Sequence, residues 1–154
     1  MKSHLLSDIL KGKIVFLGVG NILRADDAFG PELIAKLQGF TEAVCIDAGT
    51  TPENYAGKII KEEPDTVVII DAAHLGLNPG DYDILNRDEI AKSGLTTHDL
   101  SPEMFIGFLE EQTRSDIYML AVQPENVSFG GEMSVAVKEA IEKLTIVIKE
   151  AINA

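Results

Sequence analysis

The sequence has 154 residues, 45% of them hydrophobic and 25% charged, with a formal net charge of −12 and one cysteine. That length and apolar content suffice for a single globular domain whose core needs neither disulfides nor structural metal, and they exclude disordered and collagen-like chains. The acidic balance excludes nucleic acid as a partner, because phosphate binding calls for a basic patch; it fits a basic protein or peptide partner, or simple solubility.

Met1 to Leu10 carries Lys2, His4 and Asp8 around a short apolar stretch. It is neither a signal peptide nor a membrane span, so a soluble, cytoplasmic protein without membrane insertion is expected. The lone Cys45 sits in the apolar stretch Ala43 to Ile46. It reads as a small buried hydrophobe in a reducing compartment rather than a catalytic thiol.

Residues 4–11 predict one or two helical turns before Gly12. Lys13 to Leu17, with its apolar run Ile14 to Leu17, predicts the first strand, which breaks at Gly18, Val19 and Gly20. A polar turn leads to the paired acids Asp26 and Asp27 and to a helix near Pro31 to Gln38, with Leu33, Ile34 and Leu37 at helical spacing. Ala43 to Ile46 is a second strand, ending at Asp47. A short helix from Glu53 to Glu62 follows, and then a third strand, Thr66 to Ile70, ending at Asp71. Its continuous β-branched run belongs to a strand covered on both faces.

Asn78-Pro79-Gly80 signals a turn, and Tyr82, Ile84 and Leu85 suggest a short antiparallel edge strand. Glu89 to Lys92 and Ser93-Gly94 lead into Thr97-His98-Asp99. Ser101-Pro102-Glu103 starts a helix to about Gln112, whose apolar face reads as Met104, Phe105, Phe108 and Leu109. The last strand runs from Ile117 to Val122 and breaks at Gln123-Pro124. From Glu132 to about Ile152, Val137, Ala140, Ile141, Leu144 and Ile148 make the apolar stripe of a long helix.

Alternating strands and helices imply right-handed crossovers and a mostly parallel sheet with helices on both sides. In such a sheet Asp27, Asp47 and Asp71 all come to the carboxyl edge, where open α/β folds bind ligands. Two carboxylates and an imidazole there would suit zinc, nickel, manganese or iron. Fixed negative charge argues against a nucleotide cradle, and Leu23 stands where a dinucleotide fingerprint has its third glycine. Asp26 reads as an N-cap or turn former and Asp47 as a turn residue. Asp27 and Asp71 follow buried strands and need partners. Spacing leaves His74 and His98 both open as the third ligand, while His4 reads as exposed.

Gly-Val-Gly-Asn-Ile-Leu-Arg-Ala-Asp-Asp-Ala-Phe-Gly at 18–30 resembles the signature of the hydrogenase maturation endopeptidases. Val68 to Ala72, the Gly76 to Gly80 turn, Thr97-His98 and Gln123-Pro124 extend that likeness in order from about residue 13 to 150. It is nearest the branch serving hydrogenase-3-type nickel–iron enzymes. The resemblance implies one α/β/α sandwich domain over 1–154, built on a twisted sheet of about five strands and preceded by residues 1–12 as an N-terminal extension.

The resemblance also implies an endopeptidase that removes a C-terminal extension from the hydrogenase large-subunit precursor after nickel insertion. It carries the family's metal-binding and catalytic positions to Asp27, Asp71 and His98. Nickel is then the expected metal, supplied by the precursor or held by the enzyme; another divalent metal is the variant, and a monomer is expected. A Rossmann-like metal- or nucleotide-binding module without protease activity is the competing reading.

Two positions depart from the family pattern. Asp99 replaces an asparagine often seen after the histidine. Ala28 stands where glycine is usual, which would cost on the order of 1–2 kcal/mol if φ were positive there. Helical geometry at Ala28 is the expectation.

Overall fold

The computed structural model describes residues 5–95, 97 and 101–153. Five strands form one sheet in the order β2-β1-β3-β5-β4. They are β1 (Ile14–Val19), β2 (Val44–Gly49), β3 (Thr66–Ala72), β4 (Tyr82–Leu85) and β5 (Asp116–Val122). β1 pairs in parallel with β2 and β3, and β3 with β5, while β4 runs antiparallel along β5. The expected α/β/α sandwich and its antiparallel edge strand are therefore present.

Every residue of β1 and β3 is buried. Alternation along the strands explains the unbroken apolar runs, since successive side chains feed opposite layers. Phe16, Val68 and Ile70 join one core with α1 (Leu6–Ile9), α2 (Phe29–Leu37) and α6 (Val135–Asn153). Val15, Leu17, Val67 and Ile69 join the other core, with α3 (Ala56–Glu62), α4 (Arg87–Ser93) and α5 (Pro102–Gln112).

Several local readings need correction. The short helix after β2 begins as a 3-10 turn, Pro52–Tyr55, before α3. β2 and β3 continue through Asp47 and Asp71 instead of stopping before them. α5 buries Phe105, Ile106 and Leu109, whereas Met104 and Phe108 face out. α4 escaped the sequence reading although it carries a full capping box, in which Asn86 and Glu89 each bond the other's backbone N–H. Only Ile90 of α4 is buried, so hydrophobic periodicity gave no signal.

Three residues of the 5–12 segment belong to the core. Leu6, Ile9 and Leu10 pack with α6, and the Thr66 hydroxyl donates to the Lys11 carbonyl at 2.8 Å. At Ala28, φ is −75° and ψ 0°, so alanine is unstrained there, in line with the helical expectation.

Candidate functional site

The end of β1 is shaped by what glycine omits. A Cβ on Gly30 would come within 2.3 Å of the Val19 carbonyl oxygen and 2.5 Å of that of Ile70. With no side chain there, the start of α2 settles directly on the ends of β1 and β3. Gly20 has φ +150°, and a Cβ there would lie 1.9 Å from the Asp27 carbonyl oxygen. The glycine turn is thus filled by the chain's own backbone, which leaves no phosphate cradle and removes the support for a nucleotide site.

Between β1 and α2 runs the 3-10 turn Ala25–Ala28. Ala25 has φ +50°, a left-handed conformation that costs a non-glycine residue about 1–2 kcal/mol. The strained residue directly precedes the paired acids, and their side chains diverge.

Asp26 is fully buried and accepts four hydrogen bonds. The donors are the backbone N–H groups of Glu125 (2.8 Å), Asn126 (3.1 Å) and Ser134 (2.7 Å), and the Ser134 hydroxyl (2.9 Å). Its own N–H donates to the Asn126 carbonyl at 2.9 Å. Asp26 is therefore no local N-cap or turn former; it ties the β1–α2 turn to the segment leading into α6. Ser134 also caps α6, accepting from the Val137 N–H.

Asp27 is buried as well. Its Oδ2 accepts from the Asn21 N–H at 2.8 Å, while its Oδ1 has no hydrogen-bond partner among the described residues. A buried, unpaired carboxylate oxygen costs about 1–3 kcal/mol or more, and a bound cation or a proton donor would offset that cost. Asp27 lines a cleft of about 100 Å³ with Ala72, Ala73, His74, Thr97, Pro124 and Val127. The donor set of carboxylate oxygen and imidazole suits a borderline divalent metal.

Asp71 is fully buried in β3, opposite Ala121 of β5. The 3-10 turn carrying Asp27 packs on the same strand, and the next two residues, Ala72 and Ala73, wall the cleft. Asp27 and Asp71 thus both reach the carboxyl edge of the central strands. Asp47 does not join them. It is exposed on edge strand β2 and accepts from the Gly49 N–H at 3.0 Å, which is the turn role expected of it.

His74 is exposed at the lip of the cleft. His98 and Asp99, and His4 at the start of the chain, lie outside the described residues. Among the described residues no three His, Cys, Asp or Glu side chains come together to hold a metal.

Gln123, named in the sequence only as a strand end and as part of the family likeness, has a structural role that the sequence reading did not assign. Its Oε1 accepts from the Leu75 N–H at 2.6 Å and its Nε2 donates to the Pro124 carbonyl at 3.2 Å, bracing the loop beyond β3 that carries His74. A polar residue directly after a buried strand was the available signal. Cys45 is half-buried rather than buried, and burial pushes its thiol up from the ordinary range, which favours the protonated form over the nucleophilic thiolate.

Residues 31–151 match the family model described as hydrogenase maturation protease. Asp71 and His98 fall inside that match, and Asp27 lies four positions before it. The chain is 36% identical over 131 residues to the hydrogenase 3 maturation protease of Escherichia coli K12, covering 83% of each chain. Its fold is similar to the crystal structure of the nickel–iron hydrogenase maturation protease HycI from Thermococcus kodakarensis KOD1. That likeness has a TM-score of 0.88 at 33% identity and covers 97% of this chain and 99% of the other. The solution structure of an endopeptidase HycI from Escherichia coli matches with a TM-score of 0.80 at 33% identity, covering 90% of each. With its fold, its glycine-shaped turn and these matches in agreement, the chain belongs to the hydrogenase maturation protease family.

Proposed function

We propose that this chain is an endopeptidase that removes the C-terminal extension of a nickel–iron hydrogenase large-subunit precursor once nickel has been inserted. The observation that carries this reading is the buried Asp27 at the carboxyl edge, which lines the cleft and whose Oδ1 is unpaired among the described residues. Nickel carried by the precursor is treated as part of the substrate, with Asp27, Asp71 and His98 as the residues that engage it. A carboxylate pre-positioned by Asn21 would then gain its missing contact only from a loaded precursor. Such a differential contact can make processing depend on nickel.

Bound next to the scissile bond, the nickel would polarise its carbonyl. The protein's part is to hold a carboxylate where it can take a proton. Water adds to the carbonyl carbon, its proton passes to Asp27 or Asp71, and the proton reaches the departing amine nitrogen as the C–N bond breaks. The enzyme acts as a cytoplasmic monomer in this reading. Among the described residues no helix is long and apolar enough to cross a membrane.

The test is processing of nickel-loaded and nickel-free precursor by the purified chain. Cleavage of the loaded form alone is expected. No cleavage of the loaded form at any enzyme level would remove the endopeptidase reading, and equal cleavage of both would remove the nickel dependence. His98→Ala should abolish processing with the fold retained, while the exposed His74→Ala should reduce it severalfold at most.

A further inference from the structure

Four large apolar side chains crowd the two segments that wall the cleft. Ile22 and Leu23 are 66% and 56% exposed in the β1–α2 loop, and Phe129, in the segment leading into α6, and Val135, the first residue of α6, are both 69% exposed. Exposed hydrophobic residues scattered singly are ordinary, but four on two neighbouring segments are not. These two segments are fastened together. Asp26 accepts its four hydrogen bonds from Glu125, Asn126 and Ser134, and the Gly130 N–H donates to the Leu23 carbonyl at 2.7 Å. The apolar tips therefore stand on an ordered rim, which lowers the entropic cost of docking a partner.

Behind the rim lies a groove of about 360 Å³ between α2 and α6; Ile22, Ala25, Ala28, Met133 and Ile141 give it apolar walls, and Glu32, Lys36, Lys138 and Glu142 add charges of both signs. Groove and cleft are lined by different residues of the same two segments. Ala28 of the groove directly follows Asp27 of the cleft, and Gly131 and Met133 of the groove continue the chain from Pro124 and Val127 of the cleft. Ala28 and Asp27 are adjacent, so about 3.8 Å of chain separates their α-carbons. A polypeptide lying in the cleft would have its neighbouring residues over the groove. The rim segments expose Glu125 and Glu132 in a chain of net charge −12, which complements a partner segment with basic residues at its flanks.

We infer that the Ile22–Leu23 and Phe129–Val135 rim, with the groove behind it, is the docking surface for the precursor polypeptide. It seats an apolar segment next to the scissile bond. The inference rests on the endopeptidase reading for the identity of its partner, and its test reads binding separately from cleavage.

Ile22→Ser, Phe129→Ser and the double variant should keep the parent's melting temperature and circular dichroism, because both side chains are exposed. Titration calorimetry with the nickel-loaded large-subunit precursor, run in the cleavage-deficient Asp27→Asn background, should show Kd rising about tenfold for each single variant and more for the double. In processing assays KM should rise while kcat is kept. Ile146→Ser is the control: that exposed residue lies roughly 17 Å along α6 from the rim and should leave Kd unchanged.

Variant affinities within twofold of the parent would overturn the docking surface, as would a parent chain that does not bind the precursor. A dimer of this chain broken by Ile22→Ser, with precursor binding intact, would also overturn it and assign the face to self-association. Binding without cleavage by the parent would defeat the endopeptidase reading alone, and the variant affinities would still decide the docking surface.

Discussion

Ser134 donates to Asp26 twice, from its backbone N–H at 2.7 Å and from its hydroxyl at 2.9 Å, across 108 positions of sequence. This pair joins the turn that presents Asp27 to the cap of the longest helix. A buried carboxylate with four donors is well compensated, and removing it strands the donors. Asp26→Ala should lower unfolding stability by about 3 kcal/mol in urea titrations, and Ser134→Ala by about 1–2 kcal/mol. A double variant whose loss equals the sum of the two would show that the residues are not coupled.

Asp27 should behave in the opposite way. Its Oδ1 contributes no hydrogen bond among the described residues, so Asp27→Asn should change stability by less than about 1 kcal/mol, or raise it. Processing should fall by a factor on the order of 10³, the scale expected when a reacting group is lost. Near-normal processing by a folded Asp27→Asn protein would exclude this residue from the chemistry.

At Gly30 the prediction concerns space. A methyl group there meets the Val19 and Ile70 carbonyl oxygens at 2.3 and 2.5 Å, and neither can move without disturbing β1 or β3. Gly30→Ala should cost about 3 kcal/mol by lifting α2 from the sheet. Faster hydrogen exchange in α2 should accompany that loss, and unchanged exchange would argue against this contact.

Cys45 tests the thiol reading. Burial raises its thiol above the ordinary value, so the neutral form is favoured in the fold. That contribution to stability is fully present below the unfolded-chain value of about 8.5 and is lost as pH rises through the folded value. At pH 8 a thiol reagent should modify the native chain more slowly than the unfolded chain. Cys45→Ser should process precursor at the parent rate.

The elements read correctly from sequence are those whose periodicity reports burial directly. β1, β3 and β5 are continuous apolar runs, and α6 has its stripe at Val137, Ala140, Ile141, Leu144 and Ile148. In α5 the sequence pattern offers Met104, Phe105, Phe108 and Leu109 as the apolar face, and the fold buries Phe105, Ile106 and Leu109. Helical spacing allowed either face, and only packing on the sheet chose between them. α4 was announced by Asn86 and Glu89, a capping signal that an apolar pattern does not carry.

The adjacent acids mark the boundary between the two kinds of information. The order of strands, the glycine turn and the arrival of Asp27 and Asp71 at one edge followed from sequence by itself, because strand periodicity and parallel connection leave little choice. The family resemblance already set Asp27 apart from Asp26; what Asp26 does instead was decided only in three dimensions. The donors that satisfy Asp26 come from residues 125–134, about 100 positions away, and no local spacing encodes so distant a hydrogen bond.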